Sequence, residues 1–158
     1  MSAASAEMIL TEAEAAPEVE QALADLRGHM NLALARVRSL WKESAASLHP
    51  DLQVTGYKLL MFIDQAGTTH AHELSERLDM DKSVISRQVR MLESAGLLES
   101  RPDERDGRLR VLSATPRASA ALRALSEQNA ARMRKEIGEL SVAEIRAASK
   151  VFRLLSEI

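Results

Sequence analysis

The sequence predicts a mainly α-helical chain with one small β-hairpin. Three observations lead there. Apolar residues recur at steps of three and four along most of the 158 residues, the spacing of one helical face. The aromatics number only four (Trp41, Tyr57, Phe62, Phe152), beside six glycines and four prolines. The core is therefore built from Leu, Ala, Val, Ile and Met, a composition that favours helices. A polar stretch at 102–107, Pro-Asp-Glu-Arg-Asp-Gly, separates two short extended runs and suits a hairpin tip.

Bulk properties exclude several classes. With 46% hydrophobic residues the chain can bury a core, and its length fits about one domain. Cysteine is absent, so disulfides, thiolate metal sites and thiol redox sensing are excluded. No apolar run approaches the ~20 residues of a membrane span. The acidic start, MSAASAEMILTEAEAAPEVE, lacks the basic opening of a secretory signal. A cytoplasmic location is expected, with no membrane partner.

Residues 1–16 read as an arm or a short extra helix. Thr11-x-x-Glu14 is a candidate capping box, and Met8-Ile9-Leu10 a candidate contact for a second subunit. Pro17 suits a first helical position. From there Leu23, Leu26, Met30, Leu34, Val37, Trp41, Ala45 and Leu48 stripe one helix of about 30 residues. His49-Pro50-Asp51 ends it, because the residue before proline is pushed out of helical geometry.

Thr55 or Gly56 opens a second helix, GYKLLMFIDQAG, closed by Gly67. Its centre, Leu59 to Ile63, is apolar nearly all round and should be buried. A third helix starts near His70 with Ala71, Leu74 and Leu78 inward, and Asp79-Met80 turns the chain. Asp81 is an N-cap whose carboxylate should accept from the amide of Ser83 or Val84. Ile85, Val89 and Leu92 face inward on the fourth helix, which Gly96 stops. Strands follow at Leu97–Arg101 and Leu109–Ala114. Thr115-Pro116 caps a fifth helix carrying Leu122, Leu125, Asn129, Met133, Ile137 and Leu140. Ser141-x-x-Glu144 is a capping box for a last helix with Val142, Ile145, Ala148, Phe152, Leu155 and Ile158. The first, fifth and sixth helices bear more apolar stripe than one small core covers, which points to a helical dimer platform.

Helix, turn, helix and an arginine-tipped hairpin in this order can place one helix in the major groove of DNA and a loop in the adjacent minor groove. With the fourth helix anchored inward, its start presents Lys82, Ser83, Ser86, Arg87 and Arg90. Arg grips guanine O6 and N7 in bidentate fashion, and Ser donates or accepts. Lys82 and Ser83 lie at a helix N-terminus, which favours a phosphate. Val84 suits a thymine methyl. At the hairpin tip Arg105 and Arg108 suit the negative potential of a narrow minor groove, with Asp106 holding the arginine in place. The opposing observation is charge. The chain carries −2 at pI 6.1, whereas nucleic-acid binders often show a domain pI above ~9. Lys82 to Arg110 holds seven Lys/Arg and five Asp/Glu, so the fold must sort them onto different faces.

The stretch LSERLDMDKSVISRQVRMLESAGLLESRPDERDGRLRV, with its Leu92-Glu93-x-x-Gly96-Leu97 helix end and Asp106-Gly107-Arg108 wing, resembles the winged helix-turn-helix of the MarR family of bacterial transcription regulators. The match runs from about Val54 to Pro116. Gln88, Ala114 and Ala118 depart from the residues usual there. The resemblance implies a winged helix-turn-helix domain at 54–114 and a dimerisation region from 17–53 and 115–158. It implies a homodimer on a palindromic operator of double-stranded DNA, commonly a repressor released by a small aromatic or phenolic effector. The implied effector pocket lies between the dimer helices and the reading head and draws on Trp41, Tyr57 and Met61, with His29 or Arg38. A urate-responsive subgroup has an acid where this chain has Lys58, which speaks against urate.

Other chemistries find little support. His70 and His72, two apart at a helix start, are expected on different faces, and no metal or other cofactor is expected. There is no glycine-rich phosphate loop, nucleophile elbow or spaced His/Asp set, so no enzyme is expected. The competing class is a winged helix that docks a protein without touching DNA, which the acidic pI allows.

Overall fold

The computed structural model describes the backbone of residues 3–157 and the side chains of residues 17–157. Within them lie six helices and a three-stranded antiparallel sheet, a mainly α architecture with a small β wing. Contacts divide the chain into two units, 1–58 and 59–158.

The first unit is dominated by α1 (Ala3–Leu48), one unbroken helix of 46 residues. At 1.5 Å per residue it is about 70 Å long. Two expectations change here. Residues from Ala3 to Ala16 are part of α1 and form neither an arm nor a separate helix. Pro17 lies inside the helix, where a first helical position was expected. An interior proline costs one i→i−4 bond and crowds the carbonyl four residues back, but strong helix formers flank it, among them Ala15, Ala16 and Glu18. The side chains of Met8, Ile9 and Leu10 lie outside the described residues. After Leu48, the His49 amide still reaches Ala45 O at 3.1 Å, and the His49 ring accepts from the Asp51 amide at 3.2 Å. On α1 the stripe residues Leu23, Leu26, Leu34 and Val37 are exposed in the single chain, whereas Ala45 is buried.

α2 (Val54–Ala66) ends at Gly67, whose φ of +74° is the left-handed geometry that closes a helix cheaply only with glycine. Leu59, Leu60 and Ile63 are fully buried as expected, but Met61 is 41% exposed. Thr69–His70 forms a two-residue strand, β1, and α3 (Ala71–Leu78) starts one residue later than His70. Periodicity cannot reveal so short a strand, because its signal is the pairing with β3. Ala71, expected inward, is exposed, whereas Leu74 is fully buried.

α3 ends on Asp79 in the left-handed region, φ 47° and ψ 50°. Asn and Asp tolerate that geometry better than other non-glycine residues. Ser75 stitches the turn, its hydroxyl donating to Met80 O at 2.6 Å. α4 (Lys82–Ser94) follows with Asp81 at its N-cap, but the carboxylate makes no capping bond. At the other end Gly96 (φ +67°) closes α4 in a Schellman arrangement. Its amide bonds Glu93 O at 3.0 Å, and the Leu97 amide bonds Leu92 O at 2.9 Å. Leu92 and Leu97 are both buried, the apolar contact that accompanies this motif.

β2 (Leu98–Pro102) and β3 (Arg110–Ala114) make the wing, in the sheet order β1-β3-β2. Pro102 was expected in the loop yet belongs to β2, opposite Arg110. β2 is an edge strand, where a missing N–H is tolerated. Thr115 caps α5 (Pro116–Ile137) by accepting from the Ala118 amide at 3.2 Å, and its own hydroxyl donates to Gly96 O at 3.0 Å. Leu140 falls in the turn beyond α5, where helix was expected. The Ser141–Glu144 capping box opens α6 (Val142–Leu155), with the Ser141 amide on Glu144 Oε2 at 2.8 Å. Ile158 lies outside the described residues. α6 buries no residue, and Phe152 and Val142 are each 64% exposed.

Candidate nucleic-acid interface

The second unit's core sets the aim of α4. Ile85 and Leu92 are 1% and 0% exposed, and Val89 is half-buried. The opposite face is then fixed by the 3.6-residue period. Lys82, Ser83, Ser86, Arg87 and Arg90 are all exposed, and Val84 is half-buried beside them.

The wing stands beside that face. Between them runs an open groove of about 490 Å³. Lys82, Ser86 and Arg90 form its α4 wall, Arg108, Leu109 and Arg110 its wing wall, with Val89 and Leu112 at the bottom. The groove thus gathers Lys82, Ser86, Arg90 and Arg108 from the expected set. Ser83 and Lys82 also border a second hollow beside the α3–α4 turn, with Glu76, Asp79 and Asp81. Arg105 points elsewhere, lining a hollow at the back of the wing with Arg101, Asp103 and Glu104. Arg87 and Val84 line none of these three surfaces.

The acids of this region are largely engaged, which answers the charge problem posed by the sequence. Asp106 Oδ1 accepts from the backbone amide of Arg108 at 3.0 Å. Asp106 therefore supports the wing through the main chain, where a grip on an arginine side chain was expected. Asp103 Oδ1 accepts from the amides of Arg105 at 2.7 Å and Asp106 at 3.0 Å. These amides, and then His70, hold the Asp103 carboxyl down to about 2. Glu93 on α4 accepts a hydrogen bond from the Ser100 hydroxyl. Glu104 pairs with Arg101 at 3.5 Å on the exposed side. Of the five acids, Asp103, Glu93 and Asp106 are tied to groups of the wing, while Arg87, Arg90, Arg105 and Arg108 remain exposed.

Sequence reasoning missed Arg110. Its Nη2 donates to Ser100 O and to Ser100 Oγ, each at 2.6 Å, and its Nε to Ser100 Oγ at 2.9 Å. With the Ser100–Glu93 bond this forms a polar chain from β3 through β2 to α4. The bonds join positions ten and seven apart on different elements, so no local spacing in the sequence signals them. His70 and His72 were also missed as groove residues. They do not diverge as expected: their rings stack at 5.5 Å. The reason is that His70 is extended (φ −111°, ψ 154°), so helical spacing does not apply to the pair.

The residues assigned to an effector pocket stand as follows. Lys58 Nζ sits 4.2 Å over the Trp41 ring, a cation–π contact. Tyr57 is buried, while His29, Arg38 and Met61 are exposed. None of the five lines any of the three surfaces described above.

Comparison with known proteins agrees with this geometry. Residues 51–109 match the model of the MarR family. The chain is 27% identical over 107 residues to YxaD of Bacillus subtilis, an uncharacterized HTH-type transcriptional regulator, covering 68% of this chain and 75% of that protein. Its fold is similar to that of Streptococcus pneumoniae FabT, solved in complex with DNA (TM-score 0.74, 18% identity, 84% of this chain and 93% of that one). It is also similar to the YusO protein of Bacillus subtilis (TM-score 0.69, 17% identity, 87% and 96%). Among the described residues no helix is long and apolar enough to cross a membrane. The helix-turn-helix, the arginine-bearing wing and the match over 51–109 agree, and this part of the chain is similar to the MarR family.

Proposed function

We propose that the protein is a sequence-specific DNA-binding transcriptional regulator in the cytoplasm, acting as a homodimer on a palindromic operator, most simply as a repressor. The observation that carries this reading is the groove between α4 and the wing. Cations from both walls face outward there, and three of the region's acids are turned to internal partners. In this reading Arg87 and Arg90, with Ser86 and Val84, meet base edges in the major groove. Lys82 and Ser83 meet phosphates at the N-terminus of α4. Arg108 enters the minor groove, and Arg105 meets the flanking backbone. The FabT structure, a complex with DNA, supports the same assignment by likeness of fold.

Homodimerisation is supported by apolar surface left open in the single chain. Leu23 and Leu26 on α1, and separately Ile145, Phe152 and Leu155 on α6, are exposed, and large apolar side chains left open in this way mark interaction surfaces. Two heads related by a twofold axis read two half-sites about one helical turn apart, which makes the operator a palindrome. Release by a small aromatic or phenolic ligand rests on the family resemblance and on Trp41, Tyr57 and Met61, with His29 and Arg38, as its residues. A panel of benzoates and phenols, scored for release of bound DNA, tests that part.

Selection of bound sequences from random DNA tests the main reading. The expected result is an enriched inverted repeat. Failure to enrich any sequence, with binding insensitive to salt, would favour a winged helix that docks a protein partner instead.

A further inference from the structure

His70 and Asp103 lie 33 positions apart and meet at the base of the wing, Nε2 to Oδ2, at 2.9 Å. The two oxygens of Asp103 have different tasks. Oδ2 faces the imidazole, while Oδ1 accepts from the amides of Arg105 and Asp106. Asp106 in turn accepts from the Arg108 amide. The Asp103 amide bonds Leu109 O at 3.0 Å, closing the loop. His70 is itself anchored, since β1 pairs with β3 and the His70 amide donates to Glu73 Oε2 at 3.0 Å. A single carboxylate therefore joins the start of α3 to the turn that aims Arg105 and Arg108.

We propose that His70 and Asp103 form a protonation-sensitive clip that positions the wing arginines, so that DNA is bound more tightly with His70 charged than neutral. The proposal rests on the DNA-binding reading above.

The charged groups around the imidazole are of both signs. Asp103 and Glu73 touch it, with Glu73 Oε1 3.7 Å from Nδ1, and His72 stacks on it. The rear hollow adds Arg101, Glu104 and Arg105. The groove adds Lys82, Arg90 and Glu93 from α4, and Arg108 and Arg110 from the wing. The contacting acids prevail. The hydrogen bond to Asp103 raises the His70 pKa above its ordinary value, against desolvation, and Glu73 adds to the rise. Glu73 is itself held to about 2, first by the Thr69 hydroxyl and then by the His70 amide. Both carboxylates thus stay ionised wherever the imidazole titrates.

The sign follows from the raised value. The charged clip is complete below the ordinary histidine range and is lost as pH rises through the folded-state pKa. A neutral ring keeps at most one N–H for two flanking acids. The tautomer without a proton on Nε2 turns a lone pair toward Asp103, and the wing loop loses that tie.

The test uses the full chain and its selected DNA sequence at constant ionic strength. Between about pH 6 and about pH 8.5 the wild type should lose roughly three- to tenfold in affinity, the range of one net hydrogen bond. His70→Gln keeps an N–H donor without the charge and should flatten that step. Asp103→Asn should flatten it as well, and His72→Gln should retain it. In the free protein, the amide resonances of Arg105 and Asp106 should titrate with the His70 ring, and should be still in His70→Gln. A flat wild-type profile, a step that survives His70→Gln, a step abolished by His72→Gln, or amides that ignore the His70 ring would each overturn the clip. Absence of DNA binding at every pH would strike the DNA reading itself, while amides that still track His70 would uphold the clip.

Discussion

Arg108 and Arg87 sit in different surroundings, and their substitutions should fail differently. Arg108 lines the groove and has its backbone amide fixed by Asp106. Arg108→Ala should weaken operator binding by about 1–3 kcal/mol, roughly five- to 150-fold, with the dimer intact. A gel-shift titration beside sedimentation analysis checks both halves, and unchanged affinity would remove the wing from the interface. Arg87 is exposed on α4. Arg87→Ala should relax preference at one base pair by about 1–3 kcal/mol. Repeating the sequence selection with the variant decides this, because an equal loss on all sequences would make Arg87 a phosphate contact. Residues whose role depends on one helical face were legible in the sequence: Ile85 and Leu92 point in, so Lys82, Ser86 and Arg90 point out. His70, Asp103 and Arg110 were not legible as a set. Their roles come from hydrogen bonds between positions far apart in sequence, which carry no periodic signature.

Among the elements, α4 and the wing are joined by apolar and polar links of different strength. Leu92 is fully buried on α4, and Leu97, just past the helix end, is 2% exposed. Leu92→Ala should destabilise the fold by about 2–5 kcal/mol, the usual range for a buried leucine, and a chemical denaturation curve measures it. The polar link is Glu93–Ser100–Arg110. Ser100→Ala removes the shared hydroxyl, at a cost to stability of about 1 kcal/mol. Its larger effect should be on DNA affinity, since the side chains of Arg110 and Glu93 then lose their common tether. A loss of stability with affinity unchanged would make the link purely structural. Four helix ends were read correctly, although the expected Asp81 capping bond does not form. Thr115, Ser141, Gly67 and Gly96 end or begin helices as expected, because each acts on amides or carbonyls within a few residues. β1 and the course of α1 through Pro17 were misread. The first needs a partner strand far along the chain, and in the second the helix continues through the proline among strong helix formers.

For the whole molecule the near-neutral charge has a consequence for binding. Affinity should come from a few placed cations, so it should fall with salt on a slope set by their number. Lys82→Ala should lower affinity about equally for all sequences and reduce that slope by about 1. Salt titrations of wild type and variant read it directly. The acids gathered beside Lys82, namely Glu76, Asp79 and Asp81, should make general DNA binding weak. Discrimination between operator and random DNA should then be large relative to absolute affinity.

The apolar residues left open on α1, and those on α6, have one further consequence, which concerns amount. If their burial between two chains supplies much of the free energy of folding, then the native state is favoured by mass action. Dilution alone should unfold the protein, and its melting temperature should climb as protein concentration rises. The quantity of regulator in a cell would then set both how much operator is filled and how much of the protein survives.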